Sequence, residues 1–270
     1  MLAIERKNEI LNKLRLEQRV LVSELAVHYG VTEETIRRDL DKLEKEGYAT
    51  KTYGGAIWGN STKTDLSYTI RNKTNVDAKN AIAALISSMI EDGDHIMLDD
   101  SSTSLYIAKQ LKEKKGLTVI TNSVEIVVEL SDMAGWNILS TGGQLKPDSL
   151  TLIGQQVQNM ISNYHVDKAI ISCKGIDPVA GITDSGESQA LAKQAMMRAA
   201  KQTILCLDSS KFDKISFVNI APLQSVQAVV TNTKPNGEWM NFFRQNHLPS
   251  HYPGKYSNAP VSCLETGAFR

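Results

Sequence analysis

Apolar residues fall at helical spacing along the first forty-seven positions of the chain. Ile10, Leu11 and Leu14 share one side of a charged stretch, which predicts a helix over about residues 4–16. A second, shorter helix is expected over about 22–29, stopped by Gly30, a residue suited to the left-handed position after a helix. Its N-cap position holds Leu21, which cannot cap, so its start is weakly specified. A third helix opens at Thr32, a suitable N-cap, and ends before Gly47. On a wheel, Ile36, Leu40 and Leu43 occupy one narrow arc, while Glu33 and Glu34 stand in the first turn, where the helix dipole favours acids. A strand-like piece, "YATKTYGGA", then runs into Gly54–Gly55.

Residues 58–75 are polar and lack a sustained period, which predicts a linker. Beyond it the pattern changes. Short apolar strands are expected at 95–99, 117–121, 137–141, 168–173, 203–208 and 227–231. They alternate with helices at 103–113, 123–131, 153–163 and 187–200, after an amphipathic helix in "AIAALISSMIEDG". This alternation predicts an α/β domain over 76–252 with a largely parallel sheet, behind an N-terminal helical domain over 1–57. Residues 253–270 have no clear period and read as a tail.

Composition narrows the function classes. No apolar run approaches the ~20 residues needed to span a bilayer, and charges in "MLAIERKNEI" stand where a signal peptide needs its apolar segment. Cys173, Cys206 and Cys263 are odd in number and in no CxxC pattern, which indicates neither a disulfide framework nor a zinc site. A cytoplasmic protein with buried free thiols, no metal and no cofactor is expected. Thirty basic residues balance thirty acidic ones, and residues 1–56 hold ten of each. Net charge therefore offers no footprint for nucleic acid, and any such reading rests on where the charges stand.

Their placement is suggestive. Thr35, Arg38 and Lys42 cluster opposite the apolar stripe of the third helix, and Arg37 flanks it. In a major groove, either arginine offers a planar fork to guanine O6/N7 or phosphate, and Thr35 reaches a base edge or a thymine methyl. A short helix, a tight turn at Gly30–Val31 and a second helix make a helix-turn-helix arrangement. Taken alone, the same charges also suit a solvated face with i,i+4 pairing among Glu34, Arg38, Asp41 and Lys42.

The ordered set "VSELAVHYGVTEETIRRDLDKLEKEG" followed by "YATKTYGGA" resembles the N-terminal domain of the DeoR family of bacterial transcriptional regulators. The match rests on Glu24-Leu25-Ala26, Gly30-Val31, Thr35 to Leu40, Leu43, Gly47 and Gly54-Gly55-Ala56. It implies a winged helix-turn-helix with Tyr48–Tyr53 as the wing and Lys51 close to a phosphate. The DNA-facing set is then Thr32, Thr35, Arg37, Arg38, Lys42, Lys51 and Tyr53. The chain departs from the family at Leu21, where a small capping residue is usual, and at Tyr53, where histidine is common.

In the α/β part, "DSSTS" follows a strand and opens a helix, so Ser101, Ser102 and Thr103 stand at a helix N-terminus, a ready anion site. Asn122 and Ser123 stand at a second such junction, and Gly142 and Gly143 at a third, "STGG". All three loops belong at the carboxyl edge of a parallel sheet, where ligands bind. Three hydroxyl-rich loops together favour a phosphorylated or polyhydroxylated small molecule. Asp99, Lys174, Asp177, Asp184, Glu187, Lys193 and Lys211 also stand at strand ends, where charge can hold sugar hydroxyls and phosphate. Helix capping and surface pairing account equally for such charges, as for Glu187 in its first turn.

"DDSST", "VITNS", "STGGQL", "SCKGID", "GITDSGE" and "LDSSKF" resemble the DeoR-family sensor domain, which is akin to ribose-5-phosphate isomerases. The resemblance implies a sugar-phosphate effector. Lys174, Asp177, Glu187 and Lys211 echo the isomerases' proton-transfer set, but the doubled-aspartate, glycine-rich pattern is incomplete. The chain reads as a regulator, most often a repressor in such families, and not an enzyme. It is expected to bind double-stranded operator DNA and a phosphorylated sugar as a dimer or tetramer, away from membranes. The alternatives are an active sugar-phosphate isomerase carrying a DNA-binding head, and a protein-interaction module at residues 1–56.

Overall fold

The computed structural model describes residues 2–17, 19–45, 48–58 and 68–254. The chain divides into two compact units, 1–74 and 75–270.

The first unit holds α1 (Ala3–Glu17), β1 (Arg19–Leu21), α2 (Val22–Tyr29), α3 (Glu33–Lys45), β2 (Ala49–Thr52), β3 (Gly55–Trp58) and α4 (Tyr68–Lys73). Its core joins Ile10 and Leu14 of α1 to Val22 and Leu25 of α2 and to the Ile36, Leu40 and Leu43 stripe of α3. Gly30 adopts φ 62°, and its N–H and that of Val31 close onto the last carbonyls of α2. The strands form an antiparallel sheet in the order β1-β3-β2. β1 was not legible in the sequence, and it explains how α2 starts without a capping side chain. Leu21 pairs with Gly55, and the Val22 N–H donates to the Gly54 carbonyl at 2.9 Å. The turn between β2 and β3 thus satisfies a donor that a side chain normally satisfies. The expected linker is part structure: Trp58 belongs to β3, and α4 occupies 68–73.

In the second unit α5 (Val76–Ser88), β4 (His95–Leu98), α6 (Ser102–Leu111), β5 (Thr118–Thr121), α7 (Val124–Glu129) and β6 (Asn137–Ser140) come first. A hairpin of β7 (Gln144–Lys146) and β8 (Thr151–Ile153) leads to α8 (Gln155–Ser162) and β9 (Val166–Ile171). Then follow β10 (Gly175–Asp177), β11 (Gly181–Asp184), α9 (Glu187–Ala199), β12 (Ala200–Cys206), β13 (Val218–Ala221), β14 (Ala228–Val230), α10 (Gly237–Gln245) and β15 (Ser250–His251).

Seven of these strands make one parallel sheet in the order β15-β14-β12-β9-β4-β5-β6. Its first strand, β4, lies inside the sheet. The chain builds outward through β5 and β6, then returns to place β9 on the other side of β4. The strand order therefore reverses between β4 and β9, and the crevice beyond their carboxyl ends is where open α/β sheets bind ligands. Met97, Ile120, Ala169, Ile171 and Leu205 fill the core beneath it, with Met196, Trp239 and Phe243 from the covering helices. Strands β10, β11 and β13 form a separate antiparallel sheet. The tail expected over 253–270 lies, from residue 255 onward, outside the described residues.

Candidate functional site

In the first unit the candidate surface is the outer face of α3 with the β2–β3 hairpin. Thr32 fills its capping role: its Oγ1 accepts from the Thr35 N–H at 3.3 Å, and the two hydroxyls lie 2.9 Å apart. Ile36, Leu40 and Leu43 are fully buried, which turns Arg37, Arg38 and Lys42 to solvent. Arg37 Nη2 meets Glu33 Oε2 at 2.9 Å, and Arg38 Nε meets Glu34 Oε1 at 3.3 Å. The i,i+4 pairing is thus present for Glu34–Arg38, but Asp41 turns to Lys51 of β2, not to Lys42. Lys51 also donates its backbone N–H to Glu44 Oε1 at 2.8 Å, so both contacts tie the hairpin to α3. Tyr53 stands wholly exposed at the hairpin turn. Between the exposed Arg38 and the core, Asp39 is buried and bound to Arg6 of α1 at 2.7 Å.

In the second unit the polar centre stands at the β4/β9 reversal. Asp99, wholly buried, directly follows β4. Its Oδ1 accepts from the Ser101 N–H at 3.1 Å and the Ser104 hydroxyl at 2.6 Å. Its Oδ2 accepts from the Ser172 N–H, past the end of β9, at 2.7 Å. Lys193, from the buried face of α9, places its Nζ 3.5 Å from the same oxygen and bonds directly to Asp184 at the end of β11. Burial works against the Lys193 charge, but the Asp184, Asp99 and Asp100 carboxylates outweigh it and hold its pKa above the ordinary lysine range. Burial likewise opposes the Asp184 charge, and Lys193, Lys174 and the Ser185 N–H overcome it, leaving its pKa below the usual carboxylate value. The result is a desolvated triad joining β4, β11 and α9, with Lys193 and Asp184 held in their charged forms.

Around it, Ser101 caps α6 by accepting from the Ser104 N–H at 3.0 Å, and Ser102 and Thr103 are buried in the first turn. Asp100 accepts from the Thr151 hydroxyl at 2.9 Å, which brings β8 to the edge. Ser123 caps α7 at 3.4 Å from the Ile126 N–H. Asn122 is buried; its Nδ2 donates to the Leu152 carbonyl at 3.3 Å, while its Oδ1 has no hydrogen-bond partner among the described residues. Asp208, past β12, accepts from the Ser210 N–H at 2.9 Å, in the helical turn that carries Lys211. Burial and the nearby Lys211 charge lower the pKa of Lys214.

Other expected residues are placed differently. Gly142 and Gly143 lead into β7, not into a helix N-terminus, so that loop has no helix dipole to offer. Gly143 has φ 110°, and a Cβ there would fall 2.7 Å from the Ile153 carbonyl oxygen, so the close β7–β8 hairpin accounts for that glycine. Asp177 stands at the tip of the β10–β11 hairpin, its Oδ1 accepting from Val179 and Ala180 N–H groups at 2.8 Å each. Lys174 is half-buried at the base of that hairpin, where its N–H donates to the Thr183 carbonyl at 2.9 Å. Glu187 is exposed in the first turn of α9. Cys173 and Cys206 are buried free thiols, and burial pushes Cys173 up to about 12; Cys263 lies outside the described residues.

Residues 6–62 match the DeoR-like helix-turn-helix domain, and residues 74–233 match the DeoR C terminal sensor domain. The chain belongs to the DeoR family of transcriptional regulators. Among its DeoR-family relatives, the Bacillus subtilis protein named uncharacterized HTH-type transcriptional regulator YulB is 42% identical, over 86% of this chain and 90% of that one. The HTH-type transcriptional repressor GlcR of Bacillus subtilis is 37% identical, over 90% of this chain and 93% of that one. Among solved structures, ribose 5-phosphate isomerase A from Methanocaldococcus jannaschii aligns at a TM-score of 0.39 and 16% identity, over 52% of this chain and 55% of that one. No described helix of this DeoR-family regulator is long and apolar enough to cross a membrane.

Asp100, Ser104, Thr151 and Ser172 of this regulator join the polar centre without being among the expected site residues. The doubled aspartate at 99–100 was a signal for the first of these. Ser104 stands in "DSSTS" and Ser172 opens "SCKGID", whereas nothing local marks Thr151, whose position depends on which strands become neighbours.

Proposed function

We propose that this DeoR-family regulator represses carbohydrate-metabolism genes in the cytoplasm and responds to a phosphorylated sugar. The observation that carries the effector reading is the buried Asp99–Lys193–Asp184 triad at the strand-order reversal, beside the capped start of α6. Ser101, Ser102 and Thr103 supply hydroxyls and N–H groups for a phosphate, as Asn122 and Ser123 do at the neighbouring strand end. Lys174 and Lys211 bring positive charge to the same edge, while the charge of Lys193 is taken up by Asp99 and Asp184. GlcR is named a repressor, and its similarity along the whole length supports the same sign here.

The head reads operator DNA through α3. Thr35, Arg37, Arg38 and Lys42 face the groove, Thr32 holds the start of the helix, and Lys51 and Tyr53 of the hairpin approach the backbone. One reading helix spans only a few base pairs, so the active form is a dimer or tetramer. Effector and DNA are coupled because the effector's affinity differs between the DNA-competent and incompetent states.

Binding without turnover is the better reading of the sensor. A general base needs a free lone pair near its target, and Lys193 is instead held protonated between two carboxylates. Asp177 spends its carboxylate on a hairpin turn, and Glu187 points to solvent. The test is a thermal-shift screen of the full chain against pentose and hexose phosphates, followed by gel shifts with the stabilising compound. A higher melting temperature with a changed DNA affinity supports the sensor; no shift with any sugar phosphate overturns it. Turnover that Glu187→Gln abolishes would establish the isomerase instead.

A further inference from the structure

Arg37 and Arg38, exposed and proposed to read DNA, are each engaged by an acid of the same helix one turn earlier, and Lys51 by a third acid of that helix, Asp41. These pairs do little for folding. The Glu34 and Arg38 side chains are 66% and 74% exposed, and solvent screening leaves exposed i,i+4 pairs with little effect on stability. Their geometry is more informative. The Glu34 carboxylate takes the Nε of Arg38, leaving both terminal Nη groups of the guanidinium without a partner among the described residues. Those two groups form the end-on fork that matches guanine O6 and N7.

The same acids subtract charge. Affinity for any duplex regardless of sequence comes from cations that displace counterions from phosphate. A carboxylate 2.9 Å from Arg37 and another 3.3 Å from Arg38 are repelled by that phosphate and offset the gain. At a matched base pair the fork instead meets neutral acceptors, and an anchored guanidinium has less freedom to lose.

We propose that Glu34 is a specificity-determining positioning residue that aims the Arg38 fork at a base edge, and that Glu33, which holds Arg37 by its terminal Nη2, acts with Glu34 to withhold arginine charge from the phosphate backbone. This rests on the reading that the two arginines contact DNA. Asp41 is different, because its partner Lys51 presents a point charge with no fork to aim. Freeing Lys51 raises affinity for all sequences alike.

The experiment uses the full-length chain and two duplexes: one enriched by that chain from a random-sequence library, and a shuffled duplex of the same composition. Binding is measured across a salt series for the parent, Glu34→Gln, Glu33→Gln/Glu34→Gln, Asp41→Asn and Arg37→Ala/Arg38→Ala. Glutamine keeps the helix propensity and removes the charge. Each neutralised glutamate should tighten binding to the shuffled duplex by about fivefold near 0.15 M salt and steepen the log–log salt slope by about one. The ratio of enriched to shuffled affinity falls in both glutamate variants, and Glu34→Gln loosens base preference on re-selection. Asp41→Asn steepens the slope and leaves base preference alone. If both glutamate variants keep the parental ratio and slope while the arginine variant loses the enriched duplex, the proposal is overturned and the DNA-reading assignment stands. If the arginine variant keeps full preference for the enriched duplex, the assignment fails and the proposal with it.

Discussion

Arg6 Nε lies 2.7 Å from Asp39 Oδ2, with both side chains buried, at 9% and 3% exposure. This pair joins α1 to α3 on the inner side of the helix whose outer side carries Arg38. Asp39 is one residue from Arg38, so the pair fixes how that part of α3 is turned. Removing one partner of a buried pair strands the other, at a cost of about 3–5 kcal/mol. Asp39→Ala should therefore destabilise the head by about that much, seen as an earlier urea transition in far-UV circular dichroism. Arg6→Met/Asp39→Leu should recover most of the loss, since apolar replacements of a buried pair are near neutral. A single Asp39→Ala variant as stable as the parent would contradict this account.

The adjacent glycines at 54 and 55 should respond oppositely to substitution. A Cβ on Gly55 would lie 1.9 Å from the Val20 carbonyl oxygen, whereas one on Gly54 meets nothing within 4 Å. Gly55→Ala must push β1 away from β3 and with it the carbonyl that caps α2. We expect a loss of about 1–3 kcal/mol for Gly55→Ala, typical of overpacking, and less than about 0.5 kcal/mol for Gly54→Ala. Thermal melts of the two variants side by side give the answer.

In the sensor, Lys193→Met should be among the most damaging single changes. It leaves Asp99 and Asp184 buried without their shared cation. An uncompensated buried charge costs about 3–5 kcal/mol, and the variant should also lose any stabilisation by sugar phosphates. Surface Lys201→Met, by contrast, should retain that ligand response. Calorimetry with and without ligand separates the two effects.

Asp167 predicts part of the acid limb of stability. Hydrogen bonds from Lys201 and from the His95 N–H hold its carboxyl down to about 2. The unfolded value is about 3.9, so the folded form binds its proton later as pH falls. Stability from this group is complete above about pH 4 and is lost as pH drops toward 2. The side chain is 31% exposed, and solvent screening keeps the effect modest. Asp184, also held below the usual value, acts in the same direction. The stability gap between the parent and Asp167→Asn, measured by urea unfolding, should shrink between pH 5 and pH 2.5; a constant gap would rule out the linkage.

Much of this was legible because burial leaves a period in the sequence. The 36, 40 and 43 stripe became the inner face of α3, and all six expected parallel strands are present within a few residues of their expected bounds. The elements that escaped are those whose reason for existing lies elsewhere in the chain. β1 is three residues long and is a strand because β3 pairs with it. β7, β10 and β13 are likewise short pieces recruited by partners. The glycines of "STGG" looked like an anion loop, yet Gly143 answers to the Ile153 carbonyl.

The sequence by itself determined that a helix-turn-helix precedes an alternating α/β unit, and which residues of α3 face outward, because local periodicity records which side of an element is buried. It also placed the hydroxyl-rich loops at strand ends. Only the tertiary structure decided that β9 lies beside β4, that Lys193 stands between Asp99 and Asp184, and that Arg6 reaches Asp39. Except for Lys193 with Asp184, those contacts join residues far apart in the chain, and strand order and helix docking follow from the packing of the whole core, which no local pattern encodes.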